Sequence, residues 1–170
     1  MKKKILLGLS GSVACSKAEL FVNQNSEKFE FKFLSTHNGL NYLSEEFINS
    51  NNIYSDWSEL SGSPHIELAR WADEIIIYPA SANLISKISS GIADDLLTST
   101  ILMFSKPIYI CPAMHEEMYV NSQIQSNVLN LSKNHYIVGP RYGNLDIGDK
   151  GLGRLIAVSY THLTLPTRRF

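Results

Sequence analysis

The sequence predicts an α/β fold: a three-layer parallel sheet, Rossmann-like or flavodoxin-like, with helices on both faces. Three observations carry that expectation. Short, almost wholly apolar runs of strand length alternate with longer amphipathic runs of helical spacing. The apolar runs end in small, polar residues rather than in hairpin turns. The chain has 170 residues, 44% of them hydrophobic and 18% charged, which suffices for the core of one domain.

Residues 5–9, Ile-Leu-Leu-Gly-Leu, are too short and too uniformly apolar for a surface helix and read as a buried parallel strand. After Ser10-Gly11-Ser12, residues 13–23 set Ala14, Ala18, Phe21 and Val22 at helical spacing. Residues 29–34 form a second strand, and residues 39–48 a helix with Leu40, Leu43 and Phe47 on one face. A short helix starts near Pro64 and His65. Residues 74–79, Glu-Ile-Ile-Ile-Tyr-Pro, are the clearest strand. Residues 84–103 are strongly helical with a break expected near Gly91. A strand over 107–111, a helix over 118–131 and a short strand at 136–138 complete the alternation. The expected domain runs over 1–158 and is cut at its C-terminal end. Residues 159–170 lack periodicity and read as a non-native tail.

Fifteen Lys and Arg against sixteen Asp and Glu give a net charge of −1, which argues against a strongly basic nucleic-acid binder. Two cysteines, Cys15 and Cys111, make no disulfide framework and fit a reducing cytoplasm. The apolar stretch behind the basic Met-Lys-Lys-Lys start is too short for a secretory signal, and no run approaches a membrane span. His37 and His115 have no His or Cys partner at ligand spacing, so no metal is expected.

Ligands of doubly wound sheets lie beyond the carboxyl ends of the strands. The segments there are Ser10-Gly11-Ser12, Ser35-Thr36-His37, Ala80-Ser81-Ala82-Asn83 and Pro112-Ala113-Met114-His115. All are small and polar, and two open a helix, where free N–H groups favour a phosphate. Gly8-Leu9-Ser10-Gly11-Ser12 reads equally as a phosphate cradle or as a tight turn with serine as a cap. It is neither a dinucleotide fingerprint nor a lysine-bearing P-loop, because the glycine spacing is wrong and no Gly-Lys-Ser/Thr follows. His65, at a helix start, reads as a cap or surface residue, or as an acid/base group titrating near neutrality. Cys111 reads as a core thiol. Cys15, in the first helical turn, reads as a packing residue or as a thiol with lowered pKa.

Pro79-Ala80-Ser81-Ala82-Asn83 is followed by Lys87-Ile88 and by Gly91-Ile92-Ala93-Asp94-Asp95-Leu96-Leu97. With Gly11-Ser12-Val13-Ala14, His65-Ile66-Glu67-Leu68 and Pro112-Ala113-Met114, these segments resemble the flavin-containing cysteine decarboxylases. That family includes phosphopantothenoylcysteine decarboxylases of coenzyme A synthesis and epidermin-type lantibiotic decarboxylases. The resemblance covers about residues 4 to 156. It implies bound FMN near a subunit interface, a homotrimer or an assembly of trimers, and a small cysteine conjugate as substrate. By position, Gly11, Ser12, Val13, Ser35, Thr36, His37, Ser81, Ala82, Asn83, Leu84 and Ala113 would face FMN. His65 would be the catalytic base, and Met114, His115 and Arg154 would meet substrate. The chemistry it implies is oxidation of the thiol with the flavin as hydride acceptor, then loss of carbon dioxide to an enethiol. The coenzyme A branch goes on to reduce that product, and decarboxylation of phosphopantothenoylcysteine in coenzyme A synthesis is the activity the resemblance implies first. The alternatives are a peptidyl-cysteine decarboxylase that stops at the enethiol and a non-catalytic FMN-binding regulatory subunit. Two positions depart from the pattern. His115 stands where the family usually has asparagine, and Ile147 stands where the coenzyme A branch has a proton-donating cysteine before Gly148-Asp149.

Overall fold

The structure, a computed structural model, describes residues 2–59, 61–145 and 148–157. Ile147 and the tail at 159–170 lie outside the described residues. The first strand, β1 (Lys3–Leu9), pairs in parallel with β2 (Phe29–Ser35) on one side and β4 (Glu74–Ala80) on the other. β2 continues to the two-residue β3 (Ile53–Tyr54), and β4 to β5 (Tyr109–Pro112) and β6 (Tyr136–Ile137), all parallel. The order β3-β2-β1-β4-β5-β6 is that of a Rossmann-type doubly wound sheet. The winding reverses between β1 and β4, so the crevice of such a sheet lies between the loops that leave those two strands.

Alternation along the strands divides the core. Ile5, Leu7, Leu9, Ile76 and Tyr78 point to one face, where α1 (Cys15–Asn25) supplies Ala18, Phe21 and Val22. Leu6, Ile75 and Ile77 point to the other. There α4 (Pro64–Trp71), α5 (Ala82–Ser90), α6 (Leu96–Met103) and α8 (Ser122–Leu131) cover them. The central β1 and β4 side chains are fully buried on both faces, which is why these strands read as unbroken apolar runs. Gly8 is small for a packing reason: a Cβ there would lie 2.6 Å from Ile77 Cδ1 and 3.0 Å from Leu97 Cδ1, so α6 closes directly on β1.

Three expected helices are divided. Residues 39–48 form two short helices, α2 (His37–Leu40) and α3 (Glu45–Ser50), because Thr36 and Ser44 each cap a new first turn through their hydroxyls. The helix over 84–103 ends at Gly91, whose φ of 68° is the left-handed turn that stops α5. α6 then restarts with a capping box between Asp95 and Thr98. The helix over 118–131 becomes α7 (Glu116–Tyr119) and α8, separated at Asn121, whose side chain caps α8. Outside the parallel sheet, β7 (Arg141–Asn144) and β8 (Lys150–Arg154) form an antiparallel hairpin that the alternation pattern did not signal. Leu155 and Ile156 bury themselves in the α1-side core, where Tyr78 Oη donates to the Ile156 carbonyl at 2.8 Å. No helix among the described residues is long and apolar enough to cross a membrane.

Candidate functional site

Beyond the strand ends the loops are laced sideways, one to the next. Thr36 N–H donates to the Leu9 carbonyl at 2.9 Å, joining the loops after β2 and β1. At the switch point Ser10 is wholly buried, donates its hydroxyl to the Pro79 carbonyl at 2.9 Å and accepts from Ser81 N–H at 2.8 Å. Ala113 N–H donates to the Ala80 carbonyl at 3.0 Å, and Met114 N–H to the Gly153 carbonyl at 3.1 Å. Four loops and the hairpin thus form one rigid rim. Ser10 is a positioning residue that sequence reasoning passed over. Its signal was a polar side chain immediately after a fully apolar strand, where burial obliges it to find partners.

Two adjoining cavities open along this rim. One, of about 450 Å³, lies between Gly11, Ser12, Val13 and Lys17 on one wall and Met114, His115 and Arg154 on another. The other, of about 830 Å³, is lined by Thr36, His37, Trp57, Asn83, Asp94 and Asp95, among others. Gly11, Ser81, Ala82 and Met118 line both, so the two form one trough. Each cavity by itself has the volume of an ordinary small-molecule or cofactor site.

Most expected site residues meet here. Gly11, Ser12, Val13, Ser81, Ala82 and Ala113 line the smaller cavity with Met114, His115 and Arg154; Thr36, His37 and Asn83 line the larger. Ser35 and Leu84 line neither: both are buried, and the Ser35 hydroxyl donates to the Thr36 carbonyl at 2.8 Å. The hydroxyls of Ser12, Thr36 and Ser81 accept from N–H groups of their own turns, Ala14, Gly39 and Leu84. Each therefore keeps its own proton to donate to a ligand. Gly11 approaches Asn38 so closely that a Cβ there would lie 3.1 Å from Asn38 Cβ. Small residues, spare donors and amides at the start of α5 fit a flavin mononucleotide, with one phosphate and a large planar ring.

His65 sits in the first turn of α4 and lines neither cavity. Its ring meets Trp57, a residue of the larger cavity, edge-on at 5.2 Å between centroids. Its Nδ1 is buried and has no hydrogen-bond partner among the described residues. His115 pairs through Nδ1 with the Glu117 carboxylate, and its Nε2 lies 3.7 Å from Asp149 Oδ2. Glu116 Oε1 accepts from Leu152 N–H at 3.1 Å, fastening β8 beside the trough. The thiols are not reactive groups. Burial pushes Cys15 up to about 11, in line with the packing reading and not with a lowered thiol, and its Sγ donates to the Ser10 carbonyl. Complete burial raises Cys111 further. Among the described residues no group of three His, Cys, Asp or Glu side chains gathers as a metal site would require.

The model of the Flavoprotein family matches residues 1–161. The chain belongs to that family. A relative named putative phosphopantothenoylcysteine decarboxylase, from Dictyostelium discoideum, is 37% identical over 171 residues, covering 91% of this chain and 87% of its own. The coenzyme A biosynthesis bifunctional protein CoaBC of Vibrio cholerae is 36% identical over 163 residues, covering 91% of this chain. This flavoprotein chain spans 41% of that bifunctional relative's length. Among solved structures, a mutant PPC decarboxylase complexed with pantothenoylaminoethenethiol superposes with a TM-score of 0.84 at 32% identity, covering 92% of each chain.

Proposed function

We propose that this flavoprotein binds FMN and decarboxylates phosphopantothenoylcysteine on the way to coenzyme A. One observation carries the reading: four small-residue loops and a separate hairpin close around a single trough, with flavin-type donors on the sheet side and Arg154 on the hairpin side. The relatives' names support the substrate, a small cysteine conjugate. Bound FMN supplies a two-electron hydride acceptor, which turns the substrate thiol into an electron sink beside the carboxylate.

The chain's own residues bind, orient and move protons. Gly11, Ser12, Val13, Thr36, His37, Ser81, Ala82, Asn83 and Ala113 hold the flavin; Met114, His115 and Arg154 face the substrate. His115 takes the place of an amide, and its imidazole donates to the substrate carboxylate. His65 accepts the thiol proton as general base. It lines neither cavity of the trough and among the described residues its Nδ1 has no partner, which supports a shared site in a homotrimer or an assembly of trimers. Val13 and Met118, 47% and 50% exposed beside the trough, give such an interface apolar surface. Free thiols and a biosynthetic role support a cytoplasmic location.

Ile147 favours a second reading. An alkyl side chain cannot donate the proton needed to reduce the enethiol, so the reaction would end there, as in a peptidyl-cysteine decarboxylase. One experiment addresses both readings. The purified protein is loaded with FMN, given phosphopantothenoylcysteine without oxygen, and assayed for carbon dioxide and product mass. Carbon dioxide release supports the decarboxylase. A product two hydrogens lighter than phosphopantetheine supports termination at the enethiol. A colourless protein that takes up no FMN, or no carbon dioxide release, overturns the proposal.

A further inference from the structure

A third cavity, of about 270 Å³, adjoins the hairpin end of the trough and is lined by Lys17, Arg141, Tyr142, Arg154, Leu155 and Ala157. Lys17, Arg154 and Leu155 also line the 450 Å³ cavity, so a wall of cations is common to both. Arg141 and Arg154 are opposite each other in the β7–β8 register. The Arg154 side chain lies across Gly143: a Cβ there would stand 2.6 Å from Arg154 Cδ and 2.9 Å from Nη1. Lys17 approaches from the first turn of α1. Among the described residues no Asp or Glu lines either cavity, and none of their ion pairs uses Lys17, Arg141 or Arg154. Three described acids around the hairpin and α1 have partners elsewhere: Glu19 accepts from Ser44 N–H and Oγ, Glu116 from Leu152 N–H, and Asp149 lies 3.7 Å from His115 Nε2. Burial, and then the Arg154 charge, holds the Lys17 ammonium below its ordinary pKa. Like charges brought together repel one another, and a bound dianion relieves that repulsion.

We propose that Lys17, Arg141 and Arg154 form a phosphate-monoester subsite that takes the phosphorylated end of the cysteine conjugate. The naming of that conjugate rests on the decarboxylase reading; the anion chemistry does not. A phosphate monoester carries nearly two charges at neutral pH and presents three acceptor oxygens, which two guanidinium forks and an ammonium match. A cysteine at the end of a peptide brings no such group. The subsite therefore selects a phosphorylated small molecule over a peptide. The flavin's own phosphate is the competing occupant. The cationic cavity shares Lys17, Arg154 and Leu155 with the smaller cavity and no residue with the larger, which holds Thr36, His37 and Asn83; two of its three cations lie on the hairpin, on the side of Met114 and His115, and this favours the substrate's phosphate.

The test is equilibrium binding of 4′-phosphopantothenate and of pantothenate to the FMN-loaded protein, without turnover. The unmodified chain should prefer the phosphorylated ligand by about tenfold or more, the scale of a charged hydrogen bond. Lys17→Met and Arg141→Met should each shrink that ratio several-fold, with Arg141→Lys restoring part of it. Far-UV circular dichroism confirms folding, and two variants on separate elements guard against one that misfolds. FMN and riboflavin affinities are measured alongside. No preference in the unmodified chain, or a preference untouched in both variants, overturns the subsite. Loss of FMN affinity with riboflavin affinity retained assigns the cations to the flavin phosphate and overturns it as well. Because no carbon dioxide is measured, failure of the decarboxylase reading is recorded separately, by the turnover assay.

Discussion

At one end of the trough Asp56, Asp94 and Asp95 line the wall with Lys87 and His37; at the other stand Lys17, Arg141 and Arg154 with no carboxylate among them. The acidic end is internally satisfied. Lys87 Nζ lies 2.8 Å from Asp94 Oδ1 and 3.7 Å from Asp95 Oδ2. Asp95 caps α6, and Asp56 accepts from Ser58 N–H and Oγ. The Lys87 ammonium holds Asp94 below the usual carboxylate range, and the Ser58 donors do the same for Asp56. Charges that shape the chain are paired with each other. Among the described residues the cations of the hairpin end make no ion pair, and that difference favours a charged ligand there.

The two ends also differ in how they are attached. The acidic end belongs to the loops of the parallel sheet and to α5 and α6. The cationic end rides largely on a hairpin outside the sheet, held by Glu116, by the Met114–Gly153 hydrogen bond and by Leu155 and Ile156. Chemistry and substrate selection should therefore separate under mutation.

The largest expected effect is on the chemistry. His65→Asn should lower the rate of decarboxylation by about 10²–10⁴-fold while FMN stays bound, since it would remove the proposed general base and spare the residues that line the trough. Carbon dioxide release measured beside the flavin spectrum checks this, and unchanged turnover would return His65 to a helix-start residue. Mixing His65→Asn chains with Arg154→Met chains should recover part of the activity if the site is shared between subunits. No recovery would confine each site to one chain.

A smaller effect is expected at the hairpin. Gly153 has a φ of 151°, and a Cβ there would lie 2.1 Å from the Met114 carbonyl oxygen. No side-chain adjustment relieves a clash with backbone, so Gly153→Ala must lift the hairpin from the Met114 loop. Local strain of about 1–3 kcal/mol corresponds to roughly ten- to a hundredfold. It should appear as a raised KM for substrate, with FMN affinity and the thermal midpoint of the sheet little changed. A fall in FMN affinity of the same size would show that the two ends are not separable.

The smallest effect lies away from both ends and serves as their control. Ile108 N–H donates to His135 Nδ1 at 3.4 Å, and burial holds the His135 pKa below its ordinary value. The unfolded chain binds that proton more readily than the folded one. The stabilising contribution is thus present above the unfolded pKa of about 6.5 and is lost as pH falls toward the folded value. His135→Gln should flatten this part of the stability-against-pH curve, measured by urea denaturation between pH 5 and 8, without altering the preference for the phosphorylated ligand.

The strands and the loops that follow them were legible because a doubly covered parallel strand leaves an unbroken apolar run, and the residue types that close it are small and polar. Gly91 announced the end of α5 because an L side chain rarely adopts its φ. The division of residues 39–48 was hidden because Leu40, Leu43 and Phe47 keep helical spacing across the gap, and the caps at Thr36 and Ser44 act locally. The hairpin was hidden because Arg141–Asn144 and Lys150–Arg154 have no alternating apolar face and are held by Glu116 and the Met114 backbone, contacts that local sequence does not encode.

By itself the sequence determined the layer order, the buried centres of β1 and β4, and the ring of small residues at the strand ends, because periodicity and side-chain size are local properties of the chain. Tertiary structure alone decided three things. Ser10 became the latch between Pro79 and Ser81, because the switch point brings together residues about seventy apart. His65 was set beside Trp57 and outside both cavities of the trough. Lys17, from the first helix, was placed against Arg141 and Arg154, from the last hairpin, because pairing across the fold and the closure of α1 onto the sheet bring distant charges to one wall, and no spacing along the chain records that distance.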